Sequence, residues 1–257
     1  MLKQIKPTTP SLRHKIKLIN NFSCLDNKSL SIIKKKTGGR NFLGKITVRH
    51  IGGGHKQRIK IIDSNGNIGA YSSSKVISFI HDPNRNNYLV LCKTQNDKQF
   101  LRLAADGQKI GDILHGKYTT IKKELNFGDI TQIKNVPTGT KIFNIELQPN
   151  TGMKLAKAAG TFAIVIKHEK DKTFLKLTSK KTISILSSCL CTIGVNSNIN
   201  YHNIIFGKAG VKRWKGIRPT VRGEAMNPID HPHGGETSGG VRLKTVYGKL
   251  AKFVKAH

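Results

Sequence analysis

The chain has 257 residues, in which 45 lysines and arginines stand against 14 aspartates and glutamates, so its formal net charge is +31. A compact domain with this charge repels itself, which indicates a polyanionic partner: nucleic acid first, an anionic membrane surface second. No apolar run approaches the roughly 20 residues of a membrane-spanning helix, and residues 1–10 lack the apolar centre of a signal peptide.

The basic residues are concentrated at the two ends of the chain. Residues 1–60 carry 15 basic side chains and one acid, and residues 206–257 carry 11 basic and three acidic side chains. Both ends are rich in glycine and proline and lack apolar periodicity. We therefore expect them to order only against an anionic partner.

The first motif, TGGRNFLGKITVRHIGGGHKQR, occupies residues 37–58. Glycine allows a backbone N–H to approach a phosphate closely, and alternating cations neutralise several phosphates at once. It contains no GxxxxGK[ST] signature of a P-loop. A flexible, solvated linker is the alternative. Its candidate RNA-binding residues are Arg40, Lys45, Arg49, His50, His55, Lys56 and Arg58.

Two series of short segments rich in β-branched residues follow, separated by turn residues. No long helix intervenes, which is typical of small antiparallel barrels. We predict a mainly β fold, an OB-fold barrel followed by an SH3-like barrel, with long basic irregular N- and C-terminal extensions. The only predicted helix covers residues 201–214. The predicted strands are 59–63, 75–82, 88–92, 99–105, 128–133, 141–147, 161–168, 173–178 and 182–188.

These elements divide the chain into four predicted segments. They are a basic N-terminal extension at 1–58, an OB-fold RNA-binding domain at 59–127, an SH3-like barrel at 128–198 and a basic C-terminal extension at 199–257.

The four cysteines form neither a pair of CxxC knuckles nor a Cys/His zinc pattern, so they are expected to be reduced thiols. Cys189 and Cys191 lie in an apolar run, where two strand residues are expected, one of them buried.

Two shorter motifs in the barrels also carry cations. HDPNRNN, residues 81–87, predicts a tight turn with Arg85 at its tip, either as a surface charge or as a phosphate contact. GMKLAKAAGT, residues 152–161, places Lys154 and Lys157 among small residues that allow close approach to a rigid partner. A short helical connector is the alternative for this second motif.

The densest motif is GKAGVKRWKGIRPTVRGEAMNPIDHPHGGE, residues 207–236, which contains the single tryptophan. An aromatic ring among cations fits stacking on a base or ribose, whereas the alternative is that Trp214 caps the barrel core. The candidate RNA-binding residues here are Lys208, Lys212, Arg213, Trp214, Lys215, Arg218, Arg222, Asn227, Asp230, His231 and His233.

Asp230, His231 and His233 also raise the possibility of a metal or catalytic site. We expect Pro228 and Pro232 to hold the segment extended, so that the two imidazoles point apart and cannot converge on a metal. A water-excluding pocket, which acid–base catalysis needs, is not expected in a basic, glycine-flanked tail. The favoured interpretation is a rigid loop whose imidazoles contact RNA.

In this order, GGRNFLGKITVRHIGGGHK, DPNR, NVPTGTKIFNIEL, KLAKAAGT and the 207–236 motif closely resemble the universal large-subunit ribosomal protein two family, from about residue 37 onward. The resemblance implies an OB-fold and an SH3-like barrel with arms that thread large-subunit rRNA. It also implies that Arg85 and Lys157 contact RNA, and that His231 is the loop histidine near the catalytic RNA. Lys157 stands where many relatives have Arg, so it lacks the planar bidentate fork.

The resemblance predicts a structural, non-enzymatic protein that binds large-subunit rRNA, supports subunit association and organises RNA near the peptidyl transferase centre. Its expected partners are that rRNA, neighbouring ribosomal proteins and the small subunit, without a membrane. No cofactor is expected, and Mg²⁺ is expected only through bound rRNA. Two alternatives stay open: a metal-dependent hydrolase that uses Asp230, His231 and His233, and an architectural DNA-binding protein.

The localisation follows from residue usage. The 35 lysines against 10 arginines, with abundant Ile and Asn, are what AT-rich codons specify. We predict an organelle-encoded, mitochondrial protein, with a plastid or the bacterial cytoplasm as alternatives.

Overall fold

A computed structural model of the chain describes residues 2–19, 28–68, 73–116, 125–235 and 243–250. In this part of the chain, short antiparallel strands dominate and one α-helix, α1 (Gly210–Trp214), is present. The strands are β1 (Leu2–Gln4), β2 (Ile16–Leu18), β3 (Ser31–Ile33), β4 (Arg58–Lys60), β5 (Ser74–His81), β6 (Tyr88–Thr94), β7 (Gln99–Leu103), β8 (Ile113–Leu114), β9 (Ile130–Gln132), β10 (Lys141–Phe143), β11 (Ile145–Glu146), β12 (Met153–Leu155), β13 (Ala163–Glu169), β14 (Lys172–Leu177), β15 (Thr182–Leu186) and β16 (Leu190–Ile193). Short 3-10 helices cover Lys28–Leu30, Ile133–Asn135, Ile199–Asn203 and Gly223–Ala225.

The first barrel is built on an antiparallel sheet in the order β7-β6-β5-β8. The register of β5 against β6 shifts between Val76 and Ser78, and such a bulge increases the twist that lets a sheet curl. β6 is almost wholly buried, because one face packs on Val76 and Phe100 and the other on Leu101.

The second barrel is an antiparallel sheet in the order β15-β14-β13-β10-β16-β9. A second bulge lies between Val165 and Lys167, and the alternating inward residues form one core that includes Ile142, Val165 and Leu175. The predicted fold class, a mainly β chain with an OB-fold followed by an SH3-like barrel and basic irregular extensions, is confirmed.

The two barrels belong to one compact unit and pack directly against each other. Phe143 of β10 is fully buried, and it joins the core of the first barrel beside Leu89 and Leu101. The backbone N–H of Asp106 donates to the carbonyl of Val195 at 2.8 Å, next to a bridge between Ala105 and Asn196. Apolar packing and backbone pairing therefore join the barrels rigidly.

A buried carboxylate secures the second barrel. Glu146 is 1% exposed, and its two oxygens accept hydrogen bonds from the backbone N–H groups of Gly152 at 3.0 Å and Leu190 at 3.1 Å. The first bond closes the loop from β11 to β12, and the second ties that loop to β16. One side chain thus satisfies two buried donors that water cannot reach.

The described cysteines are inert thiols. Cys92, Cys189 and Cys191 are free and fully buried, so the expectation that only one of the last two is buried is wrong. Burial raises the pKa of the Cys92 thiol to about 11 and raises that of Cys191 as well. At neutral pH both are therefore protonated and poor nucleophiles. Cys24 lies outside the described residues.

The predicted helix at 201–214 is wrong over most of its length. Only Gly210–Trp214 is α-helical, and a 3-10 turn covers Ile199–Asn203. Between them, the backbone of Ile205 pairs with Ile16. Gly207 adopts φ +79°, and a Cβ there would lie 2.2 Å from the carbonyl oxygen of Ser11. Pairing between residues distant in sequence therefore replaces helix here.

The chain divides into two compact units. One consists of Met1–Lys35 with Lys56–Gly207, and the other of Lys36–His55 with Lys208–His257. The four predicted segment boundaries stay a prediction. Glu236 of the histidine motif and most of the tail from 237 onward lie outside the described residues, as does part of the N-terminal extension. In the described part, no helix combines the length and the apolar character needed to cross a bilayer.

We expect Glu146→Ala to destabilise the chain by about 3 kcal/mol, because two buried N–H donors lose a charged acceptor. Glu146→Gln retains one acceptor and should lose about half as much. Urea unfolding of the full chain measures both. Glu169→Gln, at an exposed ion pair with Lys167, is the control and should change the free energy of unfolding by less than about 0.5 kcal/mol. Equal losses in all three variants would contradict the role given to Glu146.

Candidate nucleic-acid interface

A buried carboxylate organises the turn between β5 and β6. Asp82 is 0% exposed and accepts a hydrogen bond from the backbone N–H of Asn84 at 2.9 Å. Its other oxygen lies 2.5 Å from Nη1 of Arg85. The sequence places Arg85 at the turn tip as a projecting charge, but its side chain is only 31% exposed. The ion pair therefore sets the orientation of the guanidinium group.

A second cation, Lys157, lies in the connector between β12 and β13. Its ammonium group donates to the carbonyl of Met153 at 3.0 Å. Burial lowers the pKa of Lys157, and the positive charge of Arg85 lowers it further. In the free protein, two cations are thus held within electrostatic reach of each other with part of their hydration removed. An anion that touches both would relieve that repulsion.

Two buried asparagines hold the connector against the turn. Asn196 is 0% exposed, and its Nδ2 donates to the carbonyl of Lys157 at 2.8 Å. Nδ2 of Asn87 donates to the same carbonyl at 3.2 Å and to Oδ1 of Asn196 at 3.0 Å. Asn87 follows Arg85 by two positions. This hydrogen-bond network therefore ties the main chain next to Arg85, and the main chain of Lys157, to the buried side chain of Asn196.

Asn84 links this turn to the ammonium group of Lys34 and to the backbone of Arg58. Its Oδ1 accepts a hydrogen bond from the ammonium group of Lys34 at 2.9 Å, and its Nδ2 donates to the carbonyl of Arg58 at 2.7 Å. The guanidinium of Arg58 donates from Nε to the hydroxyl of Ser31 at 2.8 Å. We refer to the four basic residues Lys34, Arg58, Arg85 and Lys157 together as the seam cluster. The predicted residues Lys56 and Lys154 are exposed in the same unit.

In the second unit, two glycine-rich segments from opposite ends of the chain are joined through their backbones. Gly52 N–H donates to Gly216 O at 2.8 Å, and His55 N–H donates to Trp214 O at 2.8 Å. A Cβ at Gly54 would lie 2.5 Å from the backbone nitrogen of Gly216. At these positions the absence of a side chain serves contact within the protein, whereas the sequence suggested contact with phosphate.

The joined segments expose most of their cations. The hydroxyl of Thr220 lies 3.2 Å from Nδ1 of His50, which adds a side-chain contact between the two joined segments. Exposed candidates in this unit are Arg40, Lys45, Arg49, His50, His55, Lys208, Lys212, Arg213, Lys215, Arg222, Asn227 and Asp230, while Arg218 is partly buried.

Trp214, the last residue of α1, is 59% exposed. The alternative that it caps a barrel core is therefore wrong. The ammonium group of Lys208 lies 4.7 Å from the ring centroid, in the range of a cation–π contact. The ring is thus available beside a cation, as base stacking requires.

The loop that contains Asp230, His231 and His233 is folded, and the prediction of an extended segment is wrong. Backbone bonds run from Asp230 N–H to Asn227 O at 3.0 Å and from Gly234 N–H to His231 O at 2.9 Å. Pro228 and Pro232 each follow the first residue of one of these turns, where their restricted φ favours a turn as well as an extended chain. The prolines therefore turn the chain twice.

These turns bring the two imidazoles together, with ring centroids 4.7 Å apart. His231 is 9% exposed, and its Nδ1 accepts the backbone N–H of His233 at 3.0 Å. A Cβ at Gly223 would lie 2.4 Å from the same Nδ1. His231 is therefore directed into the loop, and its predicted RNA contact stays a prediction. Across the described residues, no group of three or more His, Cys, Asp or Glu is arranged to hold a metal.

Comparison with known families covers most of the chain. The family model "Ribosomal Proteins L2, RNA binding N-terminal domain" matches residues 27–116, and "Ribosomal Proteins L2, C-terminal domain" matches residues 126–251. The chain belongs to the ribosomal protein L2 family.

Individual relatives agree with this family. The chain is 42% identical over 236 residues to the large ribosomal subunit protein uL2 of Wigglesworthia glossinidia brevipalpis, covering 91% of this chain and 84% of the relative. It is 42% identical over 237 residues to uL2 of Buchnera aphidicola, with 90% and 84% covered. It is 40% identical over 257 residues to uL2 of Anaplasma marginale, with 98% and 91% covered.

The family assignment settles whether the chain is an enzyme. L2 proteins are structural and non-enzymatic, so the prediction that the chain is not an enzyme is confirmed and the hydrolase alternative is wrong. These relatives are bacterial, which fits the bacterial alternative and does not support the mitochondrial one.

The candidate site contains residues that the sequence analysis did not identify. Asp82, Asn84, Asn87 and Asn196 set the geometry of the seam cluster, yet they are neutral or acidic residues in turns. Their only local signal is turn propensity, which does not reveal that Asn87 and Asn196 meet across two barrels.

We expect Asn196→Ala to weaken rRNA binding by this L2 chain several-fold, because the backbone of Lys157 loses one of its two asparagine contacts. In a Lys157→Met background the same substitution should cost little more, since the positioned cation is already gone. Filter binding of the wild type, the two single variants and the double variant at one salt concentration measures this coupling. Thr173→Val removes a buried hydroxyl network around Ser187 and should lower stability without changing binding. If the affinity losses of the two single variants multiply in the double variant, the result would contradict a positioning role for Asn196.

Proposed function

We propose that this chain is a structural component of the large ribosomal subunit and binds large-subunit rRNA. The observation that carries the proposal is the seam cluster, in which Arg85 and Lys157 are held together despite their like charges. The match to the RNA-binding domain of the L2 family supports RNA rather than DNA as the polyanion. Structured RNA suits such a rigid site, because proteins recognise folded RNA largely by shape and phosphate contacts.

In this proposal the Arg85–Lys157 pair binds one phosphate or two adjacent phosphates. Arg85 is oriented by Asp82, so its remaining N–H groups face the backbone of the RNA in one direction. Lys157 contributes a compact charge rather than a planar fork, so it supplies attraction and little base specificity. The rigid seam reduces the ordering cost of binding.

The exposed cations of the second unit bind RNA over a wider area. Their contribution is mainly the release of counterions from neutralised phosphates. In this proposal the joined glycine-rich segments carry these cations into the space between packed RNA helices. The candidate residues therefore contact rRNA in two sets, one per unit. We propose no cofactor, with Mg²⁺ bound only through the rRNA.

The finer part of the proposal concerns the histidine loop, residues 226–235. We propose that it organises RNA near the peptidyl transferase centre and that the protein supports subunit association, with neighbouring ribosomal proteins and the small subunit as partners. What supports this is the family resemblance of the segment together with the preformed turns that leave Ile229 93% exposed at the tip. The loop positions RNA, and the chemistry belongs to the RNA.

The compartment of this ribosome stays a proposal. Residue usage favours a mitochondrial, organelle-encoded protein, while the bacterial relatives fit a bacterial cytoplasm.

The salt dependence of rRNA binding tests the central proposal. The logarithm of affinity should fall with the logarithm of salt concentration by roughly 0.7–0.9 per phosphate contact, and the double variant Arg85→Gln/Lys157→Gln should reduce this slope by about one to two contacts. The matched control is Lys180→Gln/Lys181→Gln, which removes the same charge from the exposed turn between β14 and β15. Salt-insensitive binding, or equal slopes for the two double variants, would sink the proposal.

The position of the histidine loop can be tested by directed hydroxyl-radical probing. A cysteine introduced by Ile229→Cys in a Cys24→Ser background accepts an iron chelate, because the thiols of the described cysteines are buried. In reconstituted large subunits, cleavage should concentrate in the peptidyl transferase domain of the rRNA. Leu186→Cys, at the partly exposed end of β15, is the control position. Cleavage from Ile229→Cys confined to other RNA domains would refute the placement.

A further inference from the structure

The hairpin at residues 37–48 in the second unit is a small, well-defined structure. Backbone bonds run from Asn41 N–H to Lys45 O at 2.9 Å and from Gly44 N–H to Asn41 O at 3.1 Å. The side-chain oxygen of Asn41 accepts the N–H of Lys45 at 3.0 Å. At the base, Thr47 N–H donates to Gly39 O at 2.9 Å. The tip is therefore shaped by its own hydrogen bonds.

Glycine is required at two points of this hairpin. Gly44 closes the turn at φ +77°, in the left-handed region that favours glycine. Gly39 has φ +78°, and a Cβ there would lie 2.2 Å from the carbonyl oxygen of Val48. These constraints hold residues 41–44 in one arrangement before any partner is bound.

This tip presents an aromatic ring to solvent. Phe42 is 94% exposed and its neighbour Leu43 is 65% exposed. The hydrogen bonds of the turn involve Asn41, Gly44 and Lys45, so the ring of Phe42 contributes little to the fold. Exposing so much apolar area to water is unfavourable, at about 25 cal/mol per Å², and it points to a partner that covers the ring.

The charges around the ring identify the chemical class of that partner. Arg40 and Lys45 are both exposed and flank Phe42 on either side of the turn, and Arg40 pairs with Ile46 across the hairpin. An apolar pocket on a protein would have to accept two cations at its rim. A nucleic-acid backbone offers phosphates to those cations and an unpaired base to the ring.

We propose that Phe42 stacks on an unpaired base of large-subunit rRNA while Arg40 and Lys45 contact the flanking phosphates. The inference rests on the proposed function, and it adds a base-stacking site that the candidate residues do not include. Because the hairpin is already shaped, stacking requires little reordering of the protein. The ring then contributes affinity through contact area, independently of charge.

Filter binding of the full chain to transcribed large-subunit rRNA, over a series of salt concentrations, tests the site. Phe42→Ala should weaken binding about tenfold at every salt concentration. The salt slope should stay at the wild-type value, because a stacked ring neutralises no phosphate. Arg40→Gln/Lys45→Gln should instead reduce the slope by about one to two contacts.

Matched variants separate stacking from other contacts. Phe42→Tyr should bind as the wild type does, whereas Phe42→Leu should behave like Phe42→Ala. Each variant should unfold at the same urea concentration as the wild type, because the side chain is exposed. Wild-type affinity in Phe42→Ala, or in Phe42→Leu, would overturn the inference, the second result indicating a general apolar contact with the RNA instead of stacking. Failure of the proposed function is distinct, since the wild type itself would then bind without salt dependence.

Discussion

The candidate interface depends on like charges being held near each other. The chain carries a net charge of +31, and its candidate site places Arg85 close enough to lower the pKa of Lys157. Two cationic side chains that the fold did not hold in place would move apart into water. Here the rigid junction of two barrels holds them together, and in the proposed function a bound phosphate would offset the repulsion between them.

Neutral and acidic residues carry out this positioning. Asp82 orients one cation, and Asn87 with Asn196 holds the backbone of the other. Their side chains are buried, so in the proposed function they would act on RNA only through the cations they place. We therefore expect a substitution of Asn87 or Asn196 to affect binding through Lys157. Glu146 differs because its two hydrogen bonds lie wholly within the second barrel.

The sequence predicted what depends on local pattern. Alternating β-branched residues between turn residues identified most strands of both barrels, and the family resemblance identified the fold order. Contacts distant in sequence were missed: pairing of Ile205 with Ile16 replaces the predicted helix, and the turns at Pro228 and Pro232 replace an extended chain. Charge located Arg85 and Lys157, but composition cannot show that Asn196 reaches the connector, because that contact exists only after both barrels fold.

The backbone hydrogen bond between Gly52 and Gly216 imposes an order on folding during synthesis. The first glycine-rich segment leaves the translating ribosome early, but its partner emerges only after both barrels have been made. Until then, the N–H of Gly52 and the carbonyl of Gly216 cannot pair. Nascent chains can therefore complete the barrels first, and the second unit closes last. A chain truncated before Gly216 would retain early basic residues without the segment that holds them.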